Sequence, residues 1–337
     1  MNTPSHAEAA KSRIYLDRLD RGYGAVIRDG LQWLNLPARL TASSTVFIKP
    51  NLTFPVFRKG VMTNPECVEA LVVALKDYTS HIIIGEADSG GYNRFSIDDV
   101  QQKIGLKDLE KKYGIKVVNL SRLPRRELRF KAGSREVVFP LPDILLDEAD
   151  FVFSAAVPKI HMNTRVSMTV KNLWGCIPEP SVRLKLHPYL DGVLRETVGR
   201  LKNTVGIIDG RYGLNRSGPM RGDPVELNWL MVADNLYAAD SLCCRLMQVD
   251  PESVYYLRPA VAEKEIEANQ DWTKFVGPKF YLKREWTDYP GLFCFRSPLL
   301  SYIAYFSPLA DVLHKLLYLF RKPFYDYDNP EKTNDHD

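Results

Sequence analysis

The chain has 337 residues, 45% hydrophobic and 26% charged, with 45 Lys and Arg against 41 Asp and Glu for a net charge of +4. That length supports a large core or two ordinary domains, and so small a charge, with no Lys/Arg stripe interleaved with aromatics, argues against a nucleic-acid partner. Five cysteines (Cys67, Cys176, Cys243, Cys244, Cys294) form no CxxC pair, so no iron–sulfur cluster or zinc knuckle is expected and a reducing compartment is.

Residues 1–12 are polar, read as disordered, and lack an apolar signal-peptide core, which implies a cytoplasmic chain. Apolar residues at helical spacing across 22–36 (Ala25, Val26, Leu31, Leu34) predict a first helix. Thr45-Val46-Phe47-Ile48 reads as a strand that stops at Lys49-Pro50-Asn51, because proline has no ladder donor. Asn64-Pro65-Glu66 opens a helix: Asn caps, Pro suits the first turn, and Glu favours the positive dipole end. The run from His81 reads as a second buried strand, delivering Glu86, Asp88 and the pair Gly90-Gly91 at its end. Ser96-Ile97-Asp98-Asp99 carries a capping signal, and a short helix after it stops at Gly114.

Val117-Val118-Asn119-Leu120 is a third strand, and the charged, alternating residues 121–142 predict an edge hairpin. The surroundings of that hairpin, 121–145, are where an α/β domain spanning 13–285 would divide if it has two lobes. The apolar run Phe151–Val157 fits a strand covered on both faces. It ends in Pro158-Lys159-Ile160-His161, and Lys171-Asn172-Leu173-Trp174-Gly175 follows. Residues 181–203 read as one helix and 205–208 as a strand ending in Asp209-Gly210. The segment 209–224, with four glycines and two prolines, reads as a structured loop. A strand at 229–232 and a helix over 233–249 complete an α/β alternation, which predicts a mostly parallel central sheet with flanking helices.

Residues 286–325 are apolar and aromatic, broken by Pro298 and Pro308, with runs too short to span a membrane. They suit helices that pack back on the domain. Alternatively, residues 291–325 dock on a membrane surface or a protein partner, which would make the protein peripheral at the inner face of the membrane. Residues 326–337 are charged and read as disordered.

At VFIKPNL, PKIHMNT, KNLWG and DGRYGLNRSGP the sequence resembles the family labelled domain of unknown function 362, over roughly residues 40–250. Many members of that family carry a ferredoxin-like segment with cluster-binding cysteines; this chain has no such run. HMNTRVSMTVKNLWGCIP is more weakly similar to the pattern by which lactate racemases hold a nickel cofactor on a lysine, here Lys171. The glycine pair of that pattern is absent.

The predicted strands end in Lys49 and Asn51, Glu86 and Asp88, Lys159 and His161, and Asp209. In an open parallel sheet the crevice beyond the strand carboxyl ends is where ligands bind. A small phosphate- or carboxylate-bearing ligand would meet Lys49, Asn51 and Asn172, with the backbone amides of Gly90, Gly91 and Gly210. Lys159, His161 and Lys171 are the catalytic candidates, His161 as a general base in a transfer or isomerisation. Glu86, Asp88 and Asp209 are the oxygen ligands for a divalent metal, should one assist. The competing reading is a non-catalytic ligand-binding or assembly protein, in which Asp209 makes a turn and the carboxylates pair with lysines.

Overall fold

The computed structural model describes residues 11–89, 96–305 and 307–320. Strand β1 (Ser12–Arg18) precedes helix α1 (Gly22–Trp33), followed by β2 (Val46–Pro50), α2 (Pro65–Lys76) and β3 (Ile82–Glu86). Asn64 caps α2 by accepting from the Glu66 N–H. Helix α3 (Ile97–Lys103) is capped by Ser96, and α4 (Asp108–Tyr113) ends at Gly114 in the left-handed region, which glycine enters without a Cβ clash. After β4 (Lys116–Asn119), the chain makes the hairpin β5 (Arg125–Ala132) and β6 (Arg135–Pro142), a two-stranded sheet of its own.

The next stretch holds β7 (Phe151–Ala156), the short strands β8 (Lys159–His161) and β9 (Arg165–Ser167), and the single-turn helix α5 (Thr169–Asn172). The predicted helix over 181–203 is two: α6 (Pro180–Leu186) and α7 (Leu190–Arg200), parted by a 3-10 turn at His187–Tyr189. Pro188 has no N–H to continue the ladder, so the helix breaks at His187. The long strands β10 (Thr204–Asn215) and β11 (Asp223–Ala233) then pair antiparallel. Most of the expected loop 209–224 is therefore the two arms of a hairpin, with a register shift between Gly210 and Tyr212. Cross-strand pairing supplied by the ladder overrides the weak local propensity of a Gly/Pro-rich stretch. Helix α8 (Leu236–Leu246), the short β12 (Ile266–Ala268), and helices α9 (Tyr289–Cys294), α10 (Pro298–Tyr305) and α11 (Ala310–Tyr318) finish the chain.

The main sheet runs β12-β1-β11-β10-β7-β2-β3-β4, with β8 and β9 attached beside β10. From β10 to β4 every neighbouring pair is parallel, and β11 and β1 add antiparallel strands beyond β10. The sheet is thus mixed α/β with a parallel centre. Side-chain alternation divides its interior into two cores. Val46, Ile48, Ile84 and Ile207 pack under α1–α4, with Val26, Leu71 and Val100 among the helix contributions. Phe47, Ile83, Val152 and Ile208 face the other way, toward Val170, Val193 and Leu242 of α5, α7 and α8. The hairpin β5–β6 joins this second core through Val137, Phe139 and Leu141. It seats on α7 where a Cβ on Gly192 would lie 2.4 Å from the Phe130 ring.

Candidate anion-binding site

Where β2, β3, β7 and β8 end, a buried polar network replaces the apolar core. Lys49 is the last inward side chain of β2 on the α5 face, continuing the alternation set by Phe47. Its Nζ lies 2.5 Å from Glu86 Oε2 and also donates to the Pro50 carbonyl at 2.8 Å. The Lys49 side chain is fully buried and Glu86 is 5% exposed, so this ion pair is sealed from water. Glu86 is further held by the backbone N–H of Ala87 at 3.1 Å and of Leu52 at 3.4 Å. Such a pair is retained only when both ions are hydrogen-bonded as well as paired.

Asn172, in α5, ties the motifs together. Its Oδ1 accepts from Asn51 Nδ2 at 3.1 Å and Lys49 Nζ at 3.3 Å, and its Nδ2 donates to the Lys49 carbonyl at 2.8 Å and Ser154 Oγ at 3.2 Å. Lys159 Nζ donates to Asn51 Oδ1 at 2.8 Å and to the Val61 carbonyl at 2.9 Å. The KPN, PKIH and KNLWG segments are therefore one connected network. Gly175 closes it sterically: a Cβ there would lie 2.2 Å from Glu86 Oε1 and 2.9 Å from Lys49 Nζ.

Beside this network stands a set of cations with few counter-charges. Lys171 precedes Asn172, is partly exposed, and has no hydrogen-bond or ion-pair partner among the described residues. Burial, then the nearby Arg183 guanidinium, pulls its ammonium down to about 8. Lys159 is held well below the usual lysine range by desolvation and by the charges of Lys171 and Lys49. Arg183 is buried and donates to the Asp88 carbonyl from Nη2.

The two histidines of this region present opposite hydrogen-bonding faces. His161 Nδ1 accepts from the backbone N–H of Asn163 at 3.1 Å and of Thr164 at 3.4 Å. Desolvation and the charges of Lys171 and Lys159 hold its pKa well below 6.5, so the neutral ring keeps its proton on Nε2. His187 Nδ1 lies 3.2 Å from the Leu184 carbonyl and donates to it, which leaves a lone pair on Nε2. Burial and Lys171 bring its pKa down to about 4. The His187 ring meets Trp174 edge-on at 5.3 Å and stacks on Phe295 at 4.3 Å, which brings the C-terminal helices to this wall.

Other expected site residues sit elsewhere. Asp209 follows Ile207 by two residues on β10, so it faces α1 and α2, across the sheet from Lys49. There it accepts from Tyr23 Oη at 2.8 Å and the Asn64 N–H at 2.9 Å, and burial raises its pKa. Asp88 Oδ1 accepts from the Ile97 N–H at 2.8 Å and Asn119 Nδ2 at 3.1 Å, holding the start of α3. Glu86, Asp88 and Asp209 thus have separate partners, and among the described residues no three His, Cys, Asp or Glu side chains group to hold a metal ion. Gly210 lies under Trp229, whose ring would be 2.3 Å from a Cβ there, and Gly90 and Gly91 lie outside the described residues. Burial raises the Cys176 thiol to about 12, which suits packing rather than attack.

Arg183 and Asp240 were not singled out by the sequence pattern. Asp240, fully buried in α8, accepts from the Thr169 N–H at 2.8 Å, Thr169 Oγ1 at 2.6 Å and the Val170 N–H at 3.0 Å. It thereby holds the start of α5, which presents Lys171 and Asn172. Its only signal in the sequence is a carboxylate inside the otherwise apolar face LYAADSLCC.

Fold and site define an α/β protein of the open-sheet class, with its polar residues gathered beyond the carboxyl ends of parallel strands. The chain belongs to the family described as Domain of unknown function (DUF362), whose profile matches residues 46–245. It is 24% identical over 235 residues to a thylakoid-associated protein of Synechocystis sp., an alignment covering 65% of this chain and 67% of that one. Among solved structures, the lactate racemase apoprotein of Thermoanaerobacterium thermosaccharolyticum superposes with a TM-score of 0.41 at 13% identity, covering 74% of this chain and 60% of that one. A Thermotoga maritima protein does so with a TM-score of 0.35 at 14% identity, over 60% of this chain and 53% of that chain.

Proposed function

We propose that the crevice walled by Lys171, Arg183, His161 and His187 binds a small anion bearing a phosphate or carboxylate, and that the two histidines carry out acid–base chemistry on it. The observation that carries this reading is Lys171: an ammonium among other cations and without a hydrogen-bond or ion-pair partner among the described residues. An anion supplies the missing counter-charge, and charge-assisted hydrogen bonds of this kind are the strong ones. Lys49, Lys159, Asn51 and Asn172 satisfy one another and form the rigid floor. In this reading His187, with a free Nε2 lone pair, takes the part of base, and His161 donates from Nε2 to the developing charge.

Binding is tested by calorimetry with inorganic phosphate and acetate as probes. Affinity should fall as pH rises through about 8, where Lys171 loses its proton. Lys171→Met should weaken binding at least about tenfold with the circular dichroism spectrum unchanged. Acid–base turnover is read by proton NMR of carboxylate and phosphate compounds in D2O, as loss of a carbon-bound proton. His187→Ala should abolish that exchange while changing affinity by no more than about threefold. A second reading, an anion carrier without catalysis, is favoured by the donor face of His161, which suits holding an anion as well as activating one. Tight binding with no exchange for any bound compound would select it, and failure of both probes and compounds to bind would overturn the proposal.

A further inference from the structure

Helices α9–α11 turn an apolar surface outward. Leu299 is 66% exposed, Phe293 63%, Leu319 76% and Phe320 68%. On α11 and the turn after it, Val312, Leu316, Leu319 and Phe320 recur at helical spacing, so the exposed residues form one stripe rather than isolated points. Contiguous apolar surface of this kind marks an interaction site. Between Tyr289 and Phe320 the charged side chains that the structure describes, Arg296 and Lys315, are both basic and exposed, while Asp288 just before them is buried and accepts from the Glu285 N–H. Aromatic side chains with a polar edge, Trp286 and Tyr289, are also exposed. Among the described residues no helix is long and apolar enough to cross a membrane.

We propose that α9–α11 form an interfacial docking surface for an anionic lipid bilayer. Apolar side chains enter the acyl boundary, the amphipathic aromatics sit at headgroup depth, and Arg296 and Lys315 meet lipid phosphates. The inner side of the same arm reaches the crevice: Phe295 stacks on His187, and Lys185 lies over the Tyr302 ring at 5.8 Å. Docking therefore brings that wall of the crevice toward the membrane, and the docking stands whether or not the crevice binds an anion.

The test is flotation of the full-length chain with phosphatidylcholine vesicles, with and without phosphatidylglycerol, while following the emission of Trp286. Partition should be at least about tenfold stronger into the anionic vesicles and should weaken with salt. A blue shift on binding should disappear in Trp286→Phe, which still floats. Leu316→Glu/Leu319→Glu, at exposed positions, should abolish flotation without altering the melting temperature, and Arg296→Gln/Lys315→Gln should remove the preference for phosphatidylglycerol. Equal binding to both vesicle types, or none, would overturn the proposal. So would a concentration-dependent dimer dispersed by Leu316→Glu, because that would assign the stripe to a second copy of the chain.

Discussion

Replacing Lys49 with methionine removes one half of a sealed ion pair while keeping an unbranched side chain of similar length. The ammonium's bonds to Glu86 Oε2 at 2.5 Å, the Pro50 carbonyl at 2.8 Å and Asn172 Oδ1 at 3.3 Å are all lost. Glu86, 5% exposed, then keeps among the described residues the N–H groups of Ala87 and Leu52 as its donors. Stranding a buried charge in this way costs about 3–5 kcal/mol, far more than the net value of the pair itself. The double variant Lys49→Met/Glu86→Gln strands no charge, and the glutamine oxygen can keep the two backbone donors. It should recover most of the loss, since replacing both members of a buried pair is often close to neutral. Equilibrium urea unfolding followed by far-ultraviolet circular dichroism measures all variants of the cycle. A cost below about 1 kcal/mol for the single change, or a double variant as unstable as the single one, would refute the view that this pair is sealed and interdependent.

Gly175→Ala forces a methyl group against Glu86 and Lys49; it should destabilise by about 1–3 kcal/mol, and the loss should shrink in the Lys49→Met/Glu86→Gln background, as thermal unfolding of both would show. Asp240, whose carboxyl is raised to about 7 by burial, keeps its proton when folded in a pH range where the unfolded chain has lost it. Its contribution to stability is therefore full below about pH 4 and declines as pH rises to about 7. Asp240→Asn should flatten that decline across the window, read from urea midpoints at successive pH values, and Asp240→Ala should weaken anion binding by loosening α5.

Much of the site was legible because its chemistry is local in sequence. Lys159 and His161 stand two apart on one strand and so share a face, and Lys171 and Asn172 leave a single helical turn together. Caps such as Asn64, Ser96 and Gly114 announced their helices through bonds that span only a few residues. What was not legible depended on partners distant along the chain. Strand β1 carries three charged residues in seven, and pairing such as Ile14 with Ala233 makes it part of the sheet. His187 stood out in the sequence only as a secondary candidate before a proline, and its place against Trp174 and Phe295 came from packing.

The sequence by itself determined the α/β alternation, the parallel centre of the sheet and the edge hairpin, because apolar periodicity and end signals act over the length of one element. It also placed lysine, asparagine and histidine at strand ends, since the positions of those residues follow directly from where the apolar runs stop. Only the tertiary structure decided which of them meet. Period-two alternation sends Asp209 to the α1–α2 face and Lys49 to the α5 face, a difference invisible until the strands are paired. Packing also divided the cations into Lys49 and Lys159, hydrogen-bonded within the floor, and Lys171, which has no partner among the described residues. The physical reason is that charge state and availability depend on burial and on neighbours across the fold, which no stretch of sequence contains.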